Sequence, residues 1–128
     1  MKRFLANYGP LILYAALIFG VSSIPKLPTP DIGITFIDKI AHFLEYAVFI
    51  ILALRAFVQP PIAAKGYRLY LIGMLAALVY AVADEYHQSY VPGRTADWYD
   101  VVADSLGIWC GAMGYMLMGR RKRMRHKA

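Results

Sequence analysis

Four blocks of about 20 mostly apolar residues occupy most of this chain, roughly Phe4 to Ser23, Ile37 to Val58, Tyr67 to Tyr90 and Asp97 to Gly119. Such a block matches the hydrocarbon thickness of a bilayer when helical, and it far exceeds the roughly 10 residues of a barrel strand. An unpaired backbone N–H or C=O is costly in lipid, so each block has to satisfy its own backbone as a helix. The composition agrees: 59% of the 128 residues are hydrophobic and 17% charged, too apolar for an ordinary soluble domain. The expectation is all-α, a bundle of four transmembrane helices over residues 1–119 with both termini cytoplasmic, followed by a basic cytoplasmic tail at 120–128. No internal repeat, low-complexity tract or second domain is visible.

The first block follows Met1-Lys2-Arg3, which raises the alternative of a cleaved signal peptide with Ser22-Ser23 as a weak cleavage site. Its apolar run is on the long side for that role, and cleavage would leave the orientation of the rest unchanged. Orientation follows from the bases. Lys2, Arg3, Arg55, Lys65, Arg68, Arg120, Arg121, Lys122, Arg123, Arg125 and Lys127 are eleven of the fourteen Lys and Arg residues and fall on one side, leaving Lys26, Lys39 and Arg94 for the other. The net charge of +6 then reads as anchoring at an anionic inner leaflet, and no nucleic-acid partner is expected. Cys110 is the single cysteine, so it forms no intramolecular disulfide; it reads as a small packing residue.

The acids show the opposite bias. Asp31, Asp38, Glu45, Asp84, Glu85, Asp97, Asp100 and Asp104 all lie in or near the first and third loops. On the second block Asp38, His42 and Glu45 recur at i, i+4 and i+7, a polar stripe that cannot face lipid and that sinks Glu45 roughly 10 Å below Asp38. Lys39 lies off this stripe, near enough to the surface to snorkel, and carries less weight. The third block ends with Asp84, His87 and Gln88 on one face, while Glu85, rotated by about 100°, serves a neighbouring helix. The fourth begins with Asp97, Asp100 and Asp104 at i, i+3 and i+7. Three helices thus bring acids to one outer pocket, where ionised carboxylates need pairing, water or a cation. The cations at hand are Arg94, Lys39 and, if protonated, His42 and His87. A purely architectural reading folds Arg94 back over Asp100 or Asp84.

Loop chemistry frames this pocket. Three prolines, at 25, 28 and 30, forbid helix in the first loop, and Pro60-Pro61 breaks the chain between the second and third blocks. Val91-Pro92-Gly93-Arg94 suits a type II turn that presents Arg94 at its end. The first block, with no ionisable group between Arg3 and Lys26 except the phenols of Tyr8 and Tyr14, reads as an anchor. Gly107, Gly111 and Gly114, with Ala103 and Ala112 nearby, form a small-residue stripe for close helix approach, within the chain or between subunits of a homo-oligomer. Trp98, Tyr99, Tyr86 and Tyr90 sit where aromatic rings anchor at headgroup level, or where Trp98 could stack on a sugar.

Three motifs in order, Asp38-Lys39-Ile40-Ala41-His42-Phe43-Leu44-Glu45-Tyr46, Asp84 through Gln88 to Arg94, and Asp100 through Gly107 to Gly111, closely resemble the VanZ-like family of small bacterial membrane proteins over about residues 37–111. The family commonly has Asn four residues after the last helix's Asp; this chain has Asp104 there. The resemblance implies a multi-pass protein of the bacterial cytoplasmic membrane linked to the cell envelope and to resistance against glycopeptides such as teicoplanin. It carries over a site of Asp38, His42, Glu45, Asp84, Glu85, Gln88, Arg94 and Asp100, without a known reaction.

Three functions compete on these residues. The leading one is binding of an envelope component, a lipid-linked wall precursor or a glycopeptide, with Arg94 clamping a phosphate or carboxylate. An intramembrane enzyme would use Glu45 or Asp84 as base and His42 or His87 as acid partner. No nucleophile elbow, His-Glu-x-x-His or phosphate loop accompanies them. A divalent cation among His42, His87 and carboxylates is geometrically allowed, but the spacing assigns no metal, and no cofactor is identified. Proton-coupled transport is the third reading, opposed by the uncharged inner stretches Val48–Leu54, Leu71–Val79 and Ile108–Leu117.

Overall fold

The computed structural model describes residues 1–26, 34–58 and 67–125. These form four helices, α1 (Lys2–Ser22), α2 (Ile34–Phe57), α3 (Tyr67–Gln88) and α4 (Trp98–Arg125), with no strand among the described residues. Each contains a span long and apolar enough to cross a membrane: Phe4–Ser22, Phe36–Phe57, Tyr67–Gln88 and Trp98–Gly119. The boundaries follow the hydrophobic blocks except at the C-terminus, where α4 continues through Arg125 and takes in much of the segment expected as a separate tail. Arg, Lys and Met favour helix and no proline intervenes, so nothing stops it at Gly119. Asp31, Pro28, Pro30, the Pro60-Pro61 break, Lys65 and Lys127 lie outside the described residues, as do the side chains of residues 120–125.

Neighbouring helices alternate in direction. At one end the C-terminal turns of α1 and α3 meet the first turns of α2 and α4, through Ser22 to Asp84, Lys26 to Asp38 and Lys39 to Asp100. At the other, Tyr8 of α1 packs on Phe57 of α2, and Tyr70 of α3 on Tyr115 of α4. Between the ends lies an apolar core with Ile18, Tyr46, Ile50, Leu54, Ala77, Ala81, Ile108 and Ala112.

The α2–α4 seam is the most extensive contact, and small residues make it so. Gly107 lies against the backbone of Phe43 and Gly111 against that of Ala47, so closely that a Cβ at either position would run into the carbonyl oxygen opposite. Lipid tails are as apolar as the side chains, so helices in a membrane adhere through such close packing rather than through water exclusion. Two of the three glycines offered for oligomerisation are thereby used up within the chain, whereas Gly114 has open space around it. Cys110 does not pack in the core as expected; it is exposed on α4.

α1 is held differently. Its span is mostly exposed, with Ile18 as its fully buried apolar side chain. Hydroxyls on both sides of its contacts tie it in: Tyr80 donates to the Ala15 carbonyl at 2.7 Å, and Tyr14 of α1 donates to the Glu45 carbonyl at 3.3 Å.

The turn between α3 and α4 is the expected type II turn, with Arg94 N–H donating to the Val91 carbonyl at 3.1 Å and Gly93 at φ 76°. Gly93 has a second duty: a Cβ there would strike the Lys26 carbonyl oxygen, so glycine lets this turn lie against the end of the first helical hairpin arm.

Candidate functional site

The polar residues gather at the end where Ser22, Asp38, Gln88 and Asp97 meet, in two connected layers. The outer layer is ionic. Lys26 Nζ lies 2.9 Å from Asp38 Oδ2. Lys39, given little weight on sequence, is the central cation: its Nζ donates to Asp97 Oδ2 and to Asp100 Oδ1, both at 2.5 Å. Being off the Asp38 stripe turns it toward the first turn of α4 rather than toward solvent. Asp97 also accepts from the Tyr99 N–H at 2.9 Å, an N-cap for α4, and the Lys39 ammonium holds its carboxyl below the usual carboxylate range. Glu85 closes this corner by accepting the Asp97 N–H on Oε1 at 2.6 Å, so it does serve a neighbouring helix.

Beneath Lys39, His42 places Nδ1 3.1 Å from Asp104 Oδ1 and Nε2 3.9 Å from Asp100 Oδ1. An ionised Asp104 fixes the proton on Nδ1 and leaves the other ring nitrogen facing Asp100. Asp104 thus orients the histidine. Asp38, His42 and Asp100 each bring one donor atom to within 4.8 Å of the others.

The second layer joins α1 to α3 by hydrogen bonds. Ser22 donates to Asp84 Oδ2 at 2.7 Å, and Gln88 Nε2 donates to the same oxygen at 3.0 Å and to Ser22 Oγ at 3.2 Å. Arg94 continues the chain, donating from Nη1 to Gln88 Oε1 at 3.0 Å, from Nη2 to the Val21 carbonyl at 2.9 Å and from Nε to the Ile24 carbonyl at 3.0 Å. Arg94 therefore pairs with neither Asp84 nor Asp100, and its donors go to Gln88, to the Val21 carbonyl in the last turn of α1 and to the Ile24 carbonyl just beyond it. A helix C-terminus has unpaired carbonyls and a negative dipole end, which a guanidinium satisfies on both counts.

Sequence reasoning missed Ser22. It appeared only as a weak cleavage site at the end of an anchor, yet it is 4% exposed and links α1 to Asp84. The signal was there: two serines close an apolar helix, and a buried hydroxyl needs a partner. His87 was expected with the acids but lies on the α1 side, its Nε2 3.0 Å from Ser23 Oγ and its ring stacked on Phe19 at 4.6 Å. The common face of Asp84, His87 and Gln88 is real, and it faces α1 rather than α2.

Deeper still, Glu45 is half-buried and interacts electrostatically with His42, Asp84, Asp104 and Arg94. Beside it the hydroxyl of Tyr46, a residue also missed although it stands four after His42, is fully buried without a hydrogen bond. Asp84 Oδ1 and Glu85 Oε2 are likewise buried without partners. Directly below, Tyr46, Ile50, Leu54 and Ile108 close the bundle.

A mainly apolar groove of about 180 Å³ opens between α3 and α4 at the same end, lined by Val82, Glu85, Tyr86, Ala96, Asp97, Trp98 and Val101. Trp98 is 80% exposed, and Tyr86, Tyr90 and Tyr99 are similarly open.

No curated protein and no solved structure matches the chain. The VanZ/LLP1 family model matches residues 5–119, covering every polar residue of the site and, but for Phe4, the four membrane-crossing spans. The chain is a multi-pass membrane protein of the VanZ/LLP1 family.

Proposed function

We propose that the protein sits in the bacterial cytoplasmic membrane with its acidic end outward and binds there a polar component of the cell envelope, a lipid-linked wall precursor or a glycopeptide of the teicoplanin type. One observation carries the reading: Asp84 Oδ1 and Glu85 Oε2 are buried acceptors without donors, among seven described carboxylates that converge from three helices. Leaving a buried acceptor unpaired costs about 1–3 kcal/mol, a cost that a ligand's hydroxyl or ammonium groups would relieve. The bias of lysines and arginines toward the N-terminus, the second loop and the C-terminal segment, away from the acids, supports the orientation, and the exposed Trp98 and tyrosines supply surfaces for a sugar ring or a headgroup. Arg94 acts in this reading by holding α1 and Gln88 against Asp84, since its donors are directed at carbonyls rather than into open space.

The test is equilibrium binding of a lipid-linked wall precursor and of teicoplanin to detergent-purified protein, in wild type and Asp84→Asn. Saturable binding that weakens at least about tenfold in the variant is expected, given the strength of hydrogen bonds to charged groups. Wild-type protein that binds neither ligand would remove the reading.

A second reading, acid–base catalysis on the same material, is favoured by the His42–Asp104 pair, because a carboxylate that orients one ring nitrogen leaves the other to move a proton. Release of product from a lipid-linked precursor, abolished in His42→Gln, would establish it. Transport is the poorer reading, since the apolar core lies across any path from the acids to the far end.

A further inference from the structure

We infer that Asp38, His42 and Asp100 form a binding site for a divalent transition-metal ion of the zinc type, with Asp104 orienting the histidine. The inference goes beyond envelope binding; the two share the unpaired Glu85 oxygen, and the experiment below tests the metal separately.

The geometry comes first. The three donor atoms come from two helices and lie within 4.8 Å of one another. An ion with ligands at about 2.1 Å would need them roughly 3.4 Å apart, so rotamer adjustments of about 1 Å bring them into range. One imidazole with carboxylates is the donor set of zinc-class ions rather than of magnesium or calcium, which prefer oxygen alone. His42 is 6% exposed, and its Nδ1 is held by Asp104, so the nitrogen turned toward Asp100 is the one free to ligate. A carboxylate behind the imidazole is the usual outer support of a metal-bound histidine.

An independent observation points to a ligand. Glu85 comes from a third helix, is 5% exposed and leaves Oε2 without any hydrogen bond. Asp100 and His42 are among the charged groups that its carboxylate feels most strongly. A buried carboxylate oxygen without a donor, in the field of these two groups, is one whose charge a cation held by them would offset. The charge count agrees: seven described carboxylates at this end face three fixed cations, Lys26, Lys39 and Arg94, and Arg94 touches none of the seven. Lys39 does not fill the gap, because it bridges Asp97 and Asp100 and can keep Asp97 when Asp100 turns to the ion.

The experiment uses the full chain without an affinity tag of histidines, purified in detergent, stripped with chelator and carrying Cys110→Ser so that no thiol contributes. Co²⁺ is titrated as an optical stand-in and then displaced with Zn²⁺. Expected is uptake of about one equivalent with the visible absorption of nitrogen and oxygen ligation. Binding should weaken at least about tenfold in His42→Gln and Asp38→Asn, and about 10- to 100-fold in Asp104→Asn through the lost orientation. Circular dichroism and a monodisperse elution profile establish that each variant is folded; Asp38 is partly exposed, so its substitution decides the matter even if the buried ones misfold. No uptake by folded wild-type protein, or undiminished uptake in folded His42→Gln and Asp38→Asn, overturns the inference. Neither result depends on whether teicoplanin or a wall precursor binds.

Discussion

The α2–α4 seam and the α1–α3 seam solve the same problem by different means. α2 and α4 approach over glycines until backbone meets backbone, and ionic contacts from Lys39 and His42 close the end of a contact already made by packing. α1 has little buried surface and is held to α3 by Ser22, Tyr80 and the fork of Arg94, each reaching a polar group across the gap. Where shape lets helices come close, dispersion holds them; where it does not, hydrogen bonds in a medium without water take over. The site lies where the two seams meet.

Gly107→Val should break the first seam outright, because the clash is with a carbonyl oxygen that cannot swing aside; a loss of about 3 kcal/mol in detergent unfolding is expected. Gly114→Val, with open space around it, should change monomer stability by less than about 0.5 kcal/mol, and a fall in oligomer content there would show that this glycine serves a second subunit. Lys39→Met should cost about 2 kcal/mol by leaving the buried Asp100 without its cation, and adding Asp100→Leu should recover much of that in the same unfolding assay.

The second seam should yield more gently. Arg94→Lys should lose about 1–2 kcal/mol, since a point ammonium cannot reach two carbonyls and an amide at once, and protease or cross-linking probes at α1 should report its loosening. Ser22→Ala should cost about 1 kcal/mol, detected the same way. Acidification gives the smallest effect. Lys39 depresses the Asp97 carboxyl, so its contribution is complete above the ordinary carboxylate range and drains away as the pH falls through the lowered folded-state value. Asp97→Asn should flatten that part of the acid unfolding curve.

Much of the site was legible because helical spacing is rigid: Asp38 and His42, Asp84 and Gln88, Asp100 and Asp104 stand on the faces that their intervals require. What spacing could not supply was which helix each face meets. Asp84, Gln88 and His87 share the face their spacing requires, but a face common to three residues says nothing of which helix lies across it, and the structure puts α1 there. Lys39 was undervalued for a related reason: a position off one stripe is a position on another, and α4 happened to occupy it.

The apolar blocks by themselves determined four helices and a membrane, because lipid leaves an unpaired backbone no alternative and a span has a fixed length. The type II turn was equally local, since Pro92 and Gly93 permit few other conformations. Only the tertiary structure decided that Arg94 caps α1, that Gly107 and Gly111 are spent within the chain, and that Ser22 belongs to the site. Those outcomes depend on how far apart helices remain after packing, a distance set by side chains remote in sequence and invisible to any single segment.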